Sequence, residues 1–308
     1  MAFRGPLVVI VGPTGVGKTA LGIQLAQTMG GEIVSADSRQ IYRGMDIGTA
    51  KPSPAEQAQV RHHLVDIVDP DEPFTLADYQ ERAYAAIDDI VGRQRLPFLV
   101  GGTGLYVRAV VEGWKIPRVP PDPELRAKLQ DEAETEGPRT LYERLLSLDP
   151  AAAAFVDERN VRRVIRALEV CIQSGRPFSE QRGKEPPPYS VLRIGLTMDR
   201  QALYQRVDAR VDRMIAEGLV QEVRRLLERG YDWTLPAMSS LGYLQLKDYL
   251  EGNMSVQEAV ASIKSETHRF IRHQYNWFRL TDPHIHWLDA VLPYPPALVL
   301  TREACAAY

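Results

Sequence analysis

Cysteine is nearly absent. The chain has only Cys171 and Cys305, too few and too distant for a disulfide scaffold or a metal-ligand pair, so a reducing cytoplasmic setting is expected. Long apolar runs are missing too: no stretch approaches the roughly 20 apolar residues that span a bilayer, and no membrane role is expected. The start, MAFRGPLVVIVG, has a basic-then-apolar outline, but it leads straight into a glycine-rich loop and reads as a first strand, not a signal peptide. Neither sign of charge dominates, with 37 Lys and Arg against 40 Asp and Glu and a formal net charge of −3. A nucleic-acid partner therefore has to be argued from a local basic patch. No internal repeat and no heptad run is present, which leaves a monomer as the default. What remains is 44% hydrophobic and 25% charged over 308 residues, ordinary for a folded enzyme of one large or two moderate domains.

Residues 7–11 form an apolar run suited to a buried parallel strand, and 18–29 read as a helix. Further strands are expected at 33–36, 62–68 and 97–100, with a helix over 75–91. Strands alternating with helices imply an α/β fold, a parallel sheet flanked by helices. IPRVPPDPE at 116–124 then breaks regular structure with four prolines. Residues 125–148 and 161–172 look helical, and a second proline cluster closes the section at 186–188. A strand is expected at 191–198 and an amphipathic helix over 200–229, with Gly218 interrupting it or ending its first half. The expected organisation is a core of 1–115 and 190–300, a mainly helical insertion domain at 116–189, and a C-terminal tail at 301–308. The chain from Pro293 on, rich in proline, is expected to be peripheral.

GPTGVGKT at 12–19 fits G-x-x-x-x-G-K-[ST] between a strand and a helix. Such a loop turns successive N–H groups of Gly12, Pro13, Thr14, Gly15, Val16, Gly17, Lys18 and Thr19 (proline excepted) toward one anion. Lys18 adds a mobile charge, and the Thr19 hydroxyl suits a divalent cation. The pattern identifies a diphosphate or triphosphate, not a reaction. The strand before Gly101 lacks the terminal carboxylate that a nucleotidase or kinase uses for its metal, and Asp66 is a weak substitute. Asp37 is better placed, because parallel strands bring their C-terminal ends to the edge that carries the loop. It can orient a nucleophile or take its proton, or cap the next turn. Thr103, between glycines, suits either a ligand contact or a plain strand-to-helix turn. In the insertion, 159–184 holds seven basic residues against Glu169 and Glu180, with Arg162, Arg163 and Arg166 on one face. No carboxylate or cysteine completes a metal site around His62 and His63 or His284 and His286.

These segments together resemble one family, the tRNA dimethylallyltransferases, also called tRNA isopentenyltransferases. GPTGVGKT (12–19), SADSRQIYRGMDIGTAKP (35–52), LVGGTGLYVRA (99–109), RRVIRALEV (162–170) and RVDARVDRMIAEGLVQEV (206–223) carry the resemblance over about 280 residues. It implies a P-loop kinase-like core without phosphoryl transfer. The implied reaction moves a dimethylallyl group from dimethylallyl diphosphate to N6 of adenosine 37, in tRNAs reading codons that begin with U, with Mg²⁺ as cofactor. By the same resemblance the loop holds the donor diphosphate, Asp37 is the general base and Thr19 lies at the metal. Asp37, Ser38, Arg39 and Gln40 then meet the target adenosine, and Thr103 contacts tRNA. Arg206 and Arg210 become candidates for the leaving group, and their i, i+4 spacing does not choose between them. The insertion face is expected on the anticodon stem-loop.

The closing family segment, of the form TRRYAKRQxTWFR, appears here as THRFIRHQYNWFR at 267–279. Arg269, Arg272, Gln274 and Trp277 match, the first three as expected tRNA contacts, whereas His268, His273 and Asn276 depart. Without the resemblance, a P-loop kinase of a small metabolite or nucleotide is the leading alternative, followed by a nucleotide-switched RNA-binding protein.

Overall fold

A computed structural model describes residues 5–306. In chain order its strands are β1 (Pro6–Val11), β2 (Glu32–Ser35), β3 (His62–His63), β4 (Pro97–Val100), β5 (Trp114–Lys115), β6 (Gly183–Lys184), β7 (Ser190–Thr197) and β8 (His286–Asp289). The first helices are α1 (Lys18–Met29), α2 (Pro54–Gln59), α3 (Leu76–Gly92) and α4 (Gly104–Val111). Then come α5 (Pro123–Thr135), α6 (Pro138–Leu148), α7 (Val161–Ser174), α8 (Arg200–Ala216) and α9 (Leu219–Glu228). The last are α10 (Lys247–Leu250), α11 (Val256–Trp277) and α12 (Tyr294–Ala306). Among the described residues, those up to Val111 and those from Pro187 form one compact unit, and Glu112–Pro186 a second. No helix among them is long and apolar enough to cross a membrane.

The larger unit holds a six-stranded sheet in the order β3-β2-β4-β1-β7-β8. Every neighbouring pair in it is parallel. Its centre explains the apolar run of β1. Leu7, Val9 and Val11 point into one core with Tyr79, Ala83 and Ile87 of α3, and Val8 and Ile10 into another with Leu21 and Leu25 of α1. A strand covered on both faces has no side left for polar residues. Because all strands run the same way, the segments after β1, β2 and β4 emerge along one edge.

In the smaller unit α5, α6 and α7 pack around Leu129, Leu141, Leu145, Val164 and Leu168. Glu169 of α7 is fully buried and receives Arg126 at 2.8 Å, Arg166 at 2.5 Å and the Asp122 N–H at 2.8 Å. An isolated buried carboxylate is unaffordable, so these partners hold the unit's apolar and charged layers together.

Three expectations change. The helical stretch at 125–148 is two helices, because Gly137 takes φ 96° and Pro138 starts a new first turn. The stretch at 200–229 is interrupted at Gly218, as expected: φ there is 104°, and α8 and α9 lie on either side. The strand expected at 62–68 stops at His63, since Leu64 and Asp66 adopt left-handed φ of 62° and 55°. Asp66 then pairs with Lys51 at 2.5 Å. The tail from Pro293 is not peripheral: α12 buries Ala297 and Thr301 completely, and the Tyr294 and Thr28 hydroxyls meet at 2.6 Å. Its prolines fall in the first turn, where N–H groups have no intrahelical partner to lose, and they start this helix instead of breaking it.

Candidate active site

The loop between β1 and α1 needs its glycines for space as well as conformation. Gly15 has φ 79°, and a Cβ there would stand 2.5 Å from Val207 Cγ1 of α8. α8 therefore lies directly on the loop, and a Cβ on Gly17 would come within 3.8 Å of an Arg206 Nη. Lys18 opens α1 and donates from Nζ to the Pro13 carbonyl at 2.8 Å. Burial lowers its pKa from 10.5 to about 8, with Asp37 opposing the shift and Arg210 adding to it. Burial also lowers Arg210, again against the pull of Asp37. Two cations and one carboxylate thus act on one another beside the loop. Thr19 lies in the first turn of α1, half-buried.

Asp37 follows β2 and accepts the Arg39 N–H at 2.9 Å through Oδ1, which fixes its turn. Thr103, after β4, donates its N–H to the Ala36 carbonyl at 3.1 Å and accepts the Ser38 N–H through Oγ1 at 3.0 Å. Gln274 of α11 is 4% exposed. Its Oε1 accepts the Thr14 N–H at 2.8 Å and its Nε2 donates to the Gly102 carbonyl at 3.0 Å. A cavity of about 390 Å³ opens over this edge. Thr14, Asp37, Thr103, Arg210 and Gln274 line it, with Val211, Met214 and Phe270 supplying an apolar wall. A further wall, Gly48–Ala50, is held from behind by Glu222, whose buried carboxylate accepts the N–H groups of Asp46, Ile47 and Gly48 at 2.9–3.2 Å. The Tyr243 hydroxyl donates to the same carboxylate at 2.5 Å, and a Cβ on Gly48 would collide with that ring at 2.3 Å.

The structure brings together Gly12–Thr19, Asp37, Ser38, Thr103, Arg206 and Arg210 and gives several expected RNA contacts intramolecular work. Gln40 donates to the Ala50 carbonyl at 3.2 Å and Arg39 to the Pro236 carbonyl at 2.7 Å. Arg269 and Arg272 are exposed on α11; Arg269 stands 3.7 Å from Glu266 and Arg272 reaches the Tyr204 hydroxyl at 3.3 Å. In the smaller unit Arg162 and Arg163 are exposed, and no ion pair holds them among the described residues. Arg166 is bound to Glu169 and donates to the Val119 carbonyl at 2.9 Å, so it does not belong to a free face with them.

Sequence reasoning missed a ladder joining the two helices that wall the cavity. Tyr204, Asp208 and Asp212 on α8 meet Arg272 at 3.3 Å, His268 at 2.8 Å and Lys264 at 2.6 Å on antiparallel α11. The Tyr204 and His268 rings stack at 4.0 Å. Its signal was the matched i, i+4 spacing of complementary groups on both helices. It also missed Glu222, whose backbone N–H partners lie more than 170 residues away.

No group of three or more His, Cys, Asp or Glu side chains able to hold a metal occurs among the described residues. A hard divalent cation such as Mg²⁺ normally keeps water and takes one or two protein ligands plus phosphate oxygens. A single hydroxyl, Thr19, beside an anion loop fits a cation carried by a diphosphate and would not hold one unaided.

The model of the IPP transferase family matches residues 40–281. A tRNA dimethylallyltransferase of Roseiflexus sp. (strain RS-1) is 61% identical over 274 residues, which cover 89% of this chain and 90% of that protein. One from Thermomicrobium roseum is 53% identical over 290 residues, 94% of this chain and 88% of that protein. Among solved structures, the full-length tRNA isopentenylpyrophosphate transferase of Bacillus halodurans aligns with a TM-score of 0.71 at 40% identity, covering 98% and 96% of the two chains. A eukaryotic dimethylallyltransferase acting on tRNA aligns with a TM-score of 0.77 at 27% identity, over 93% of this chain and 74% of that one.

Proposed function

Because the chain belongs to the IPP transferase family, we propose that it transfers a dimethylallyl group from dimethylallyl diphosphate to N6 of adenosine 37 in tRNAs reading codons that begin with U. One observation supports this chemistry above others: among the described residues that line the cavity Asp37 is the one carboxylate, and it lies there with Thr14 of the anion loop and the guanidinium of Arg210. That is a poor kit for phosphoryl transfer and a good one for expelling diphosphate from carbon.

The exocyclic N6 of adenine is a weak nucleophile, since its lone pair is delocalised into the ring. The protein's leverage therefore lies with the leaving group. The N–H groups of residues 14–19, Lys18 and the guanidinium of Arg206 beside Gly17 are placed to oppose charge as it gathers on the departing oxygens. Arg210 lines the same cavity and interacts electrostatically with Asp37, so its guanidinium can act on both. Mg²⁺ bound with the diphosphate through Thr19 would add Lewis-acid neutralisation of the same oxygens. Asp37 holds N6 in line and accepts its proton as the C–N bond forms, while Arg39 N–H fixes one carboxylate oxygen. The apolar wall of Val211, Met214 and Phe270 keeps water from the allylic carbon.

The target base lies in the single-stranded anticodon loop, where leaving the stack costs only a few kcal/mol. Arg162 and Arg163 supply charge for the stem-loop backbone. A monomer working in the cytoplasm suits this role.

The test is incubation with labelled dimethylallyl diphosphate, Mg²⁺ and unmodified tRNA, with label expected in adenosine. ATP turnover without prenylation would instead point to a kinase. With both substrates bound, Asp37→Ala should lower the single-turnover rate by roughly 10²–10³-fold. A near-normal rate would remove Asp37 as the base.

A further inference from the structure

The amide of Gln274 is the point at which the two halves of the cavity floor are joined. The loop of residues 12–17 receives it at the Thr14 N–H, 2.8 Å away, and the 101–104 loop at the Gly102 carbonyl, 3.0 Å away. Nothing larger than glycine fits beneath it. A Cβ on Gly102 would stand 2.3 Å from Gln274 Nε2, and one on Gly104 would stand 2.3 Å from Trp277 Cγ, one turn further along the same helix. The end of α11 is thus seated on the 101–104 loop by contact as well as by hydrogen bond. From Gly102 the connection continues. Thr103 grips Ala36 and Ser38 on either side of Asp37. A run of hydrogen bonds therefore links the anion loop to the carboxylate: Thr14 to Gln274, Gln274 to Gly102, Thr103 to Ser38.

We propose that Gln274 is a positioning residue, not an RNA contact: it fixes the separation between the anion loop and the 101–104 loop, and through Thr103 the place of Asp37 relative to a bound diphosphate. This rests on the transfer reaction proposed above only for its kinetic consequence. The geometry favours it over the RNA-contact role that the family resemblance implies. A side chain 4% exposed, with its oxygen and its nitrogen each engaged by backbone, presents little to a polyanion. In-line displacement between two substrates is sensitive to about 1 Å of misplacement, so a brace between their loops acts on the rate and not on affinity.

Gln274→Met keeps the length and removes both hydrogen bonds. Gln274→Glu keeps the acceptor for Thr14 N–H but cannot donate to Gly102 when ionised. The first measurement is amide exchange in protein without substrates. Faster exchange is expected in 101–104 and at Ser38 in both variants, and in 12–17 in Gln274→Met, with α3 unchanged; unchanged exchange in those loops would overturn the proposal. The second is single-turnover transfer, expected to fall about 10–100-fold while tRNA affinity stays within about two-fold. Weaker tRNA binding with an unchanged single-turnover rate would make Gln274 an RNA contact instead. The third is a cycle with Thr103→Val. Acting through Thr103 requires the two losses to be non-additive, and additive losses would break the chain. If the wild-type chain transfers no prenyl group at all, the functional reading fails, while the exchange measurement still decides on Gln274.

Discussion

At the residue scale, Lys18 shows what an anion loop demands of the protein that carries it. Its ammonium is drawn among the loop's own groups, and burial lowers its pKa from 10.5 to about 8. A lysine with a depressed folded pKa destabilises the folded state most below that pKa, and the penalty fades as pH rises toward the unfolded value. Lys18→Met should therefore melt a few degrees higher than wild type without ligand near pH 7, with the gap closing between about pH 8 and 10.5. Thermal melts of both proteins across that range check it, and pyrophosphate should protect only the wild type. Lys18 and Asp37 could be found in the sequence because each follows a strand in a recognisable pattern. The role of Gln274 could not: nothing local to 267–279 reveals that its side chain turns inward onto two distant loops.

At the scale of elements, the cavity wall depends on pieces that hold other pieces. Glu222 of α9 caps three consecutive N–H groups of the 46–48 turn, with Tyr243 on the same carboxylate. Burial, then the adjacent Glu222 charge, raises the Tyr243 pKa far above 10, so it remains a donor throughout. Glu222→Ala strands these donors in a buried place, and a loss of about 3 kcal/mol is expected in denaturant unfolding. The same variant should lower kcat/KM for tRNA, since Gly48–Ala50 faces the cavity. Most strands and helices were legible from apolar periodicity. The exceptions were governed by backbone conformation: Gly137 at φ 96° splits a helical stretch that hydropathy joins, and the prolines of 293–296 open a helix in a tail expected to be peripheral. The α8–α11 ladder was written as i, i+4 spacing on both helices, but pairing them needs their antiparallel packing.

At the scale of the whole molecule, the basic stretch of 159–184 has to be divided. Its raw charge balance suggested one RNA-facing patch, yet Arg166 is bound to a buried glutamate and Arg159 pairs with Asp157 at 2.9 Å. Arg162→Ala with Arg163→Ala should reduce the slope of tRNA affinity against salt by roughly 1–2 while leaving the melting curve in place. Arg166→Ala should instead destabilise the Glu112–Pro186 unit, which thermal melts of the two variants distinguish. The parallel architecture was legible from the alternation of strands and helices. Strand order was not, because β1 takes its neighbours from far along the chain. That order has a consequence in time. Pro6 pairs with Ser190, so one edge of the most apolar strand has no partner until β7 has been synthesised. At usual elongation rates this leaves the edge open on the ribosome for on the order of 10–40 s, during which the Glu112–Pro186 unit emerges with a core of its own. A nascent chain interrupted before β7 carries an unpaired hydrophobic edge, the form in which this protein is most exposed to aggregation and to chaperone capture.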